Sequence, residues 1–287
     1  MKSSFISFNT AVIKYEDKFL ALLLKLKQKD GTSPVFYMQF PVLVDFIHCL
    51  RSRQALVKQR VEESGEHYKE ALFAAHELLI KDVPQIDMPE LQQPDPGRCI
   101  ASVTLKPGKD LSTIIIVMQN EEIAILHIDD KHVDSLLTAL QLALVNAEEK
   151  DILNYLNMNM DYLILYAADL ASSKNIDYQQ FQVEEWKLNL FSHYLAVLYC
   201  YQTEAGKKIM SGAVVKTSVP HPSDAENHIV LSAIERSPKL KTFNESFSLC
   251  QVFCRPIMAQ QGKMLSLEEC LRPLHAFFLE QQASLNA

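Results

Sequence analysis

His127, Asp129, Asp130 and His132 form the densest group of potential metal ligands in the chain. Imidazole and carboxylate together suit zinc, manganese or iron, and a strand running into a helix can aim such groups at one point. A plainer role is available. An Asp at a helix start accepts backbone N–H groups and complements the helix dipole. The comparable junction nearer the N-terminus, Gln39-Phe40-Pro41-Val42, carries no ligand type, so a strand–cap–helix junction accounts for the acids without a metal. The cap is the expectation. A metal-assisted hydrolase centred on 127–132 is the alternative.

Other catalytic patterns stop short. His76-Glu77 opens like HExxH, but Leu78, Leu79 and Ile80 follow and the second zinc ligand is missing. His221 and His228, near Asp224 and Glu226, match no recognised spacing. The chain has only seven glycines, and no pair of them fits GxGxxG, the P-loop or GxSxG. Phosphate-cradling loops need glycine so that the backbone can approach the ligand. Dinucleotide and P-loop enzymes are thereby excluded, and no cofactor is expected. The six cysteines contain no CxxC. Cys250 and Cys254, four residues apart on one expected strand, would lie roughly 13 Å from each other, beyond the ~7 Å that a disulfide spans. Reduced thiols are expected.

A third chemistry is contact with a macromolecule. Arg51, Arg53, Lys58 and Arg60 form a basic run interleaved with Gln54 and Gln59, the residue types that meet phosphate and base edges. Leu56, Val57 and Val61 are the clear apolar points nearby, and Glu62, Glu63 and Glu66 follow as an acidic block able to pair with the basic one. Arg51, Arg53, Leu56, Val57, Arg60 and Val61 are the candidate interaction residues. Either an arm holding two copies together or a nucleic-acid-binding regulator would use them.

These residues must be positioned by a sizeable fold. With 287 residues, 48% hydrophobic and 22% charged, the chain can bury a substantial core. A net charge of −7 opposes a wholesale nucleic-acid footprint. No targeting segment or membrane-spanning run is visible, so a cytoplasmic location is expected.

The elements repeat. Residues 5–15 and 18–28 read as strands joined at Glu16-Asp17, Lys29-Asp30-Gly31 is a turn, Val35–Phe40 is a third strand, and Pro41 opens a helix. The helical pattern extends to about Lys81 and weakens at Ser64-Gly65, as one long helix or two. Residues 83–98 carry four prolines and read as a linker. Strands at 99–105, 111–118 and 123–128 then lead into a second helix. Leu43, Phe46, Ile47 and Leu50 match Val133, Leu136, Leu137 and Leu140 at a constant offset of 90. Both segments read β-β-β-α: a first unit 1–82 with an extended helix, and a second unit 99–150.

Residues 151–287 read as a C-terminal α+β domain. Phe181–Tyr201 fits either period and is taken as strand. Ser223–Glu226 and Ser266–Glu269 resemble capping boxes. The first opens a helix to about Lys239, and the second opens a helix that Pro273 should bend. A variant unit, β-β-(α)-β-α, is expected here.

The opening FNTAVIKYEDKFLALLLKLKQKDG and the closing MLSLEECLRPLHAFFLEQQ resemble the YjeJ-like family of uncharacterised enterobacterial proteins. The resemblance implies a bacterial cytosolic protein and carries over no catalytic residue. Together these readings expect an α+β protein of repeated β-β-β-α units, with small, mainly antiparallel sheets and packed amphipathic helices. It is expected to be non-enzymatic and to act through protein contacts. Its partner would be another protein or a second copy, since small sheets have edges to cover.

Overall fold

Three strands lead into a helix twice in succession. The computed structural model describes residues 2–3, 5–171, 176–260 and 263–286 and divides the chain into two units, Met1–Leu156 and Asn157–Ala287. The fold is α+β. In the first unit a two-residue strand β1 (Lys2–Ser3) precedes β2 (Phe5–Tyr15), β3 (Lys18–Gln28) and β4 (Val35–Met38), an antiparallel sheet in the order β2-β3-β4. Glu16 and Asp17 both take positive φ, the backbone of a two-residue hairpin turn.

Helix α1 (Phe40–Ser64) follows, with Pro41 in its first turn, where the missing N–H leaves no hydrogen bond unmade. It stops at Gly65, whose φ of 72° and ψ of −159° belong to a region that side chains exclude. A separate helix α2 (Glu66–Leu79) begins immediately after. The long helical pattern is therefore two helices. Both pack on a later helix, 130–146, so α1 is no projecting arm, and Val57 is 2% exposed inside its own chain.

The proline-rich stretch is a strap rather than a spacer between domains. A short helix α3 (Met88–Gln92) lies within it. Ile86 and Leu91 pack on Ile13, Ala21, Leu23 and Tyr37, the sheet face turned away from the helices. Asn9 donates to the Pro84 carbonyl at 2.9 Å, Tyr37 to that of Glu90 at 3.1 Å, and Lys25 to the Glu90 carboxylate at 2.7 Å. Covered on both sides, β3 buries Ala21 to Leu26 without alternation.

Strands β5 (Ile100–Lys106), β6 (Leu111–Met118) and β7 (Ile123–Asp129) form the second antiparallel set, followed by α4 (Asp130–Asn146). The strands follow one another in a circuit. Tyr37 of β4 makes a parallel bridge to Cys99 ahead of β5, and β7 pairs in parallel with β1, which precedes β2. Packing crosses between the sets: α1 lies against β5, and α4 against β2.

Helix α5 (Lys150–Asn159) leads into the second unit. There β8 (Tyr162–Asp169), β9 (Asp177–Gln180), a one-turn helix α6 (Glu185–Leu188), β10 (His193–Gln202), β11 (Lys208–Thr217), α7 (Glu226–Arg236), α8 (Pro238–Ser246), β12 (Ser248–Ile257) and α9 (Leu267–Asn286) follow. Its antiparallel sheet has the order β12-β10-β11-β8-β9. Two apolar layers sandwich it, one including α9 and the other α7 and α8. Burial on both faces explains the mixed periodicity of 181–201, which is one helical turn and then strand.

Two expectations change here. The helix foreseen at 224–239 is two, because Pro238 cannot continue α7 and instead starts α8, where Ser237 accepts from the Leu240 N–H at 3.3 Å. Glu226 makes no capping box: its carboxylate lies 2.8 Å from His221. Strand β12 pairs with β10, on the side opposite β11. Helix α9 runs through Pro273 without a break. Among the described residues no helix is long and apolar enough to cross a membrane.

Candidate functional site

A concave feature of the first unit lies between α1, α2 and the start of α4. Its lining includes Asp130, which is held by three residues that stand outside the lining. Arg53 lies on the apolar stripe of α1 and has no exposed surface. Its guanidinium donates to the carbonyls of Gly108 (2.7 Å), Lys109 (2.9 Å) and Asp110 (2.6 Å) in the β5–β6 turn, and it pairs with Asp130. Arg60, two turns on, donates to Asp130 Oδ2 at 2.6 Å and to the Lys109 carbonyl. The Tyr68 hydroxyl of α2 donates to the same Oδ2. One carboxylate thus joins two helices to the N-terminus of a third, and the arginines it holds tie in the hairpin.

The electrostatics follow. Isolated, Asp130 or Arg53 would pay a desolvation penalty of several kcal/mol; paired and hydrogen-bonded, each offsets the other's. The hydrogen bonds to Asp130 and Tyr68 hold the Arg60 pKa above its ordinary value. Burial first, then the bond to Asp130, pushes the Tyr68 phenol up. Asp129 is the helix cap, with His132 Nδ1 at 2.6 Å and Lys131 at 3.3 Å. Burial works against its charge, but the contacts with His132 and Lys131 outweigh that and leave its pKa below the usual value.

Part of the lining is apolar. Val57 and Val61 of α1 face Leu72 and Phe73 of α2 across a cleft of about 500 Å³. His76 Nδ1 lies 2.5 Å from Ser135 Oγ, tying α2 to α4, and Gln54 donates to Asp134 at 2.8 Å. Lys58, Lys69 and Lys131 share the lining with Glu62 and Asp134, so both charge signs are present. Phe73 is 66% exposed.

The structure brings together Arg53, Asp130, Val57, Arg60 and Val61 of the residues singled out above. It does not bring together the four ligand types. His127 projects from β7 to Thr113 Oγ1 at 3.2 Å, His132 sits between Asp129 and the Phe5 carbonyl at 3.3 Å, and Asp130 turns to the arginines. Among the described residues no three His, Cys, Asp or Glu side chains gather in a metal-binding arrangement. Arg51 and Leu56 are half-buried on α1 and do not line the cleft. Tyr68, His76 and Ser135 were not identified as site residues from sequence. A signal existed: Tyr68, Leu72, His76 and Leu79 share one stripe of α2, as Phe46, Leu50, Arg53 and Val57 share one of α1. A polar residue on an apolar stripe announces a buried partner.

Fold and site together define an α+β protein with a helix-walled cleft beside an Arg–Asp–Arg–Tyr cluster, in which Arg53 and Asp130 are buried. The chain belongs to the YjeJ-like family, whose model matches residues 1–284. It is similar to the Uncharacterized protein YjeJ of Escherichia coli (strain K12), with 31% identity over 279 residues, covering 96% of this chain and 95% of that protein. No solved structure matches it.

Proposed function

We propose that this chain is a non-enzymatic interaction protein of the cytoplasm that associates with a second copy of itself through the α1–α2–α4 cleft. One observation carries the reading. Phe73, 66% exposed, stands beside a cleft lined by Val57, Val61 and Leu72, a projecting ring next to a hollow of matching chemistry. A two-fold axis through such a surface lets each ring enter the other copy's hollow, and a lining of mixed sign can pair with itself. The basic residues of α1 support contact with protein over nucleic acid, because Arg53 and Arg60 are already committed to Asp130 and the 108–110 turn.

Light scattering behind size exclusion tests it. Wild type is expected at twice the chain mass at high micromolar concentration, and Phe73→Glu at the chain mass with an unchanged circular dichroism spectrum. A wild type that stays monomeric overturns self-association. A Phe73→Glu variant that stays dimeric removes the cleft from it.

The first unit also reads as a duplicated β-β-β-α module. The constant offset of 90 between the two helix faces and the crossed packing of α1 on β5 and α4 on β2 support that reading. Superposition of 5–57 on 99–145 in an experimental structure is its test, and unlike strand orders would end it.

A further inference from the structure

The second unit contains a buried cation with no carboxylate beside it among the described residues. Lys216 of β11 is 4% exposed. Its ammonium meets soft partners: Met264 Sδ at 3.4 Å, the face of Tyr194, 4.8 Å from the ring centroid, and, within electrostatic reach, the Cys270 thiol, which burial keeps protonated by pushing its pKa up to about 11. No carboxylate among the described residues pairs with it. A thioether and a π face stabilise an ammonium far less than a carboxylate does. Burial accordingly lowers the Lys216 pKa.

Tyr194, opposite Lys216 across β10 and β11, has a hydroxyl in a similar condition. It accepts from the Leu265 N–H at 3.2 Å, but its own proton finds only the Lys263 carbonyl at 3.5 Å and Met264 Sδ at 3.9 Å. Two donors, one charged, therefore lack a good acceptor.

Tyr194 and Met264 also line a cavity of about 240 Å³, whose other walls include Leu165, Phe181, Val183 and Leu188. None of its lining residues is acidic. Lys216 lies one side chain behind this wall, and that side chain is an unbranched methionine, which changes rotamer readily.

We propose that this cavity is a binding site for a small apolar monocarboxylate, whose anion supplies the missing counter-charge to Lys216 and the acceptor for Tyr194. Its hydrocarbon part lies among the aliphatic and phenyl walls while Met264 rotates aside. The volume is below that of drug-sized pockets, which sets the ligand at roughly four to six carbons.

Titration calorimetry on the full chain tests this with 3-methylbutanoate, and with 3-methylbutan-1-ol as the uncharged analogue of the same shape. The acid is expected to bind and the alcohol to bind about tenfold or more weakly. Lys216→Met, which keeps the apolar stem, is expected to lose acid binding by a similar factor while its near-ultraviolet dichroism stays native. Tyr194→Phe weakens the acid more than the alcohol, because a carboxylate accepts more strongly than a hydroxyl, and it carries the test alone should Lys216→Met fail to fold. Failure of butanoate, 3-methylbutanoate and hexanoate to bind overturns the proposal. So does equal affinity for the alcohol, or undiminished acid binding by both variants.

Discussion

Asp130 shows how far a single side chain's role depends on its neighbours. The chain around it reads as a helix cap, for which truncation costs roughly 0.5–2 kcal/mol. In the structure the cap is Asp129, while Asp130 is 8% exposed and pairs with Arg53 and Arg60. Asp130→Ala leaves Arg53 buried without its carboxylate, so the expected loss is about 3–5 kcal/mol by urea unfolding. Adding Arg53→Met should recover part of it, since an apolar replacement removes the orphaned charge. A loss below about 2 kcal/mol for Asp130→Ala would return that residue to a minor role. Residue types near the site were legible in the sequence, but their pairing was not. Seventy-seven positions of chain separate Arg53 from Asp130, and nothing local to either names the other.

Elements were more legible, because strand and helix periods are local. The hairpin at Glu16-Asp17, the opening of α1 at Pro41 and the Ser266–Glu269 capping box all lie where residue chemistry places them. Strand β10, buried on both faces, was harder to read because the alternating signal disappears, yet it is the strand expected. What failed were the short helical turn at Glu185–Leu188 ahead of it and the helix start at Glu226, whose carboxylate turns to His221 instead of capping.

Two predictions belong at this scale. Gly65 has open space around its Cα, so Gly65→Ala meets no clash, only a backbone conformation that alanine avoids. The expected loss is about 1–3 kcal/mol in thermal or urea unfolding. An unchanged midpoint would mean that the α1–α2 joint relaxes freely. The second concerns the capping box of α9. Hydrogen bonds from Lys263 first, then from Ser266, lower the Glu269 pKa from 4.5 to about 2. A carboxyl depressed on folding contributes stability that is complete above its unfolded pKa and lost as pH falls through the folded one. Wild type should therefore lose stability more steeply than Glu269→Gln between about pH 4.5 and about pH 2. Parallel slopes for the two proteins would remove the cap from the acid response.

At the scale of the whole molecule the sequence misleads about where one unit ends. Four prolines between 83 and 98 look like a boundary, yet that segment lies inside the first unit, which extends to Leu156. Proline excludes helix and central strand locally, but it does not exclude an extended strap lying on a sheet face. Ile86, Leu91 and Glu90 hold the strap to β2, β3 and β4, and no local pattern pairs them with Ala21 or Lys25.

The strap has a practical consequence. Chain connectivity across it is not what joins the strands before it to those after it, because α1 lies on β5, α4 lies on β2, and Arg53 is tied to the 108–110 turn. A protease that nicks the chain at exposed Lys81 should leave a particle of unchanged native mass, which separates into two fragments only in denaturant. By the same logic the first unit is a natural split protein: two polypeptides divided near residue 82 and co-expressed should find each other and fold. Native mass spectrometry of the nicked protein checks this, and fragments that drift apart without denaturant would show that the strap is the tether after all.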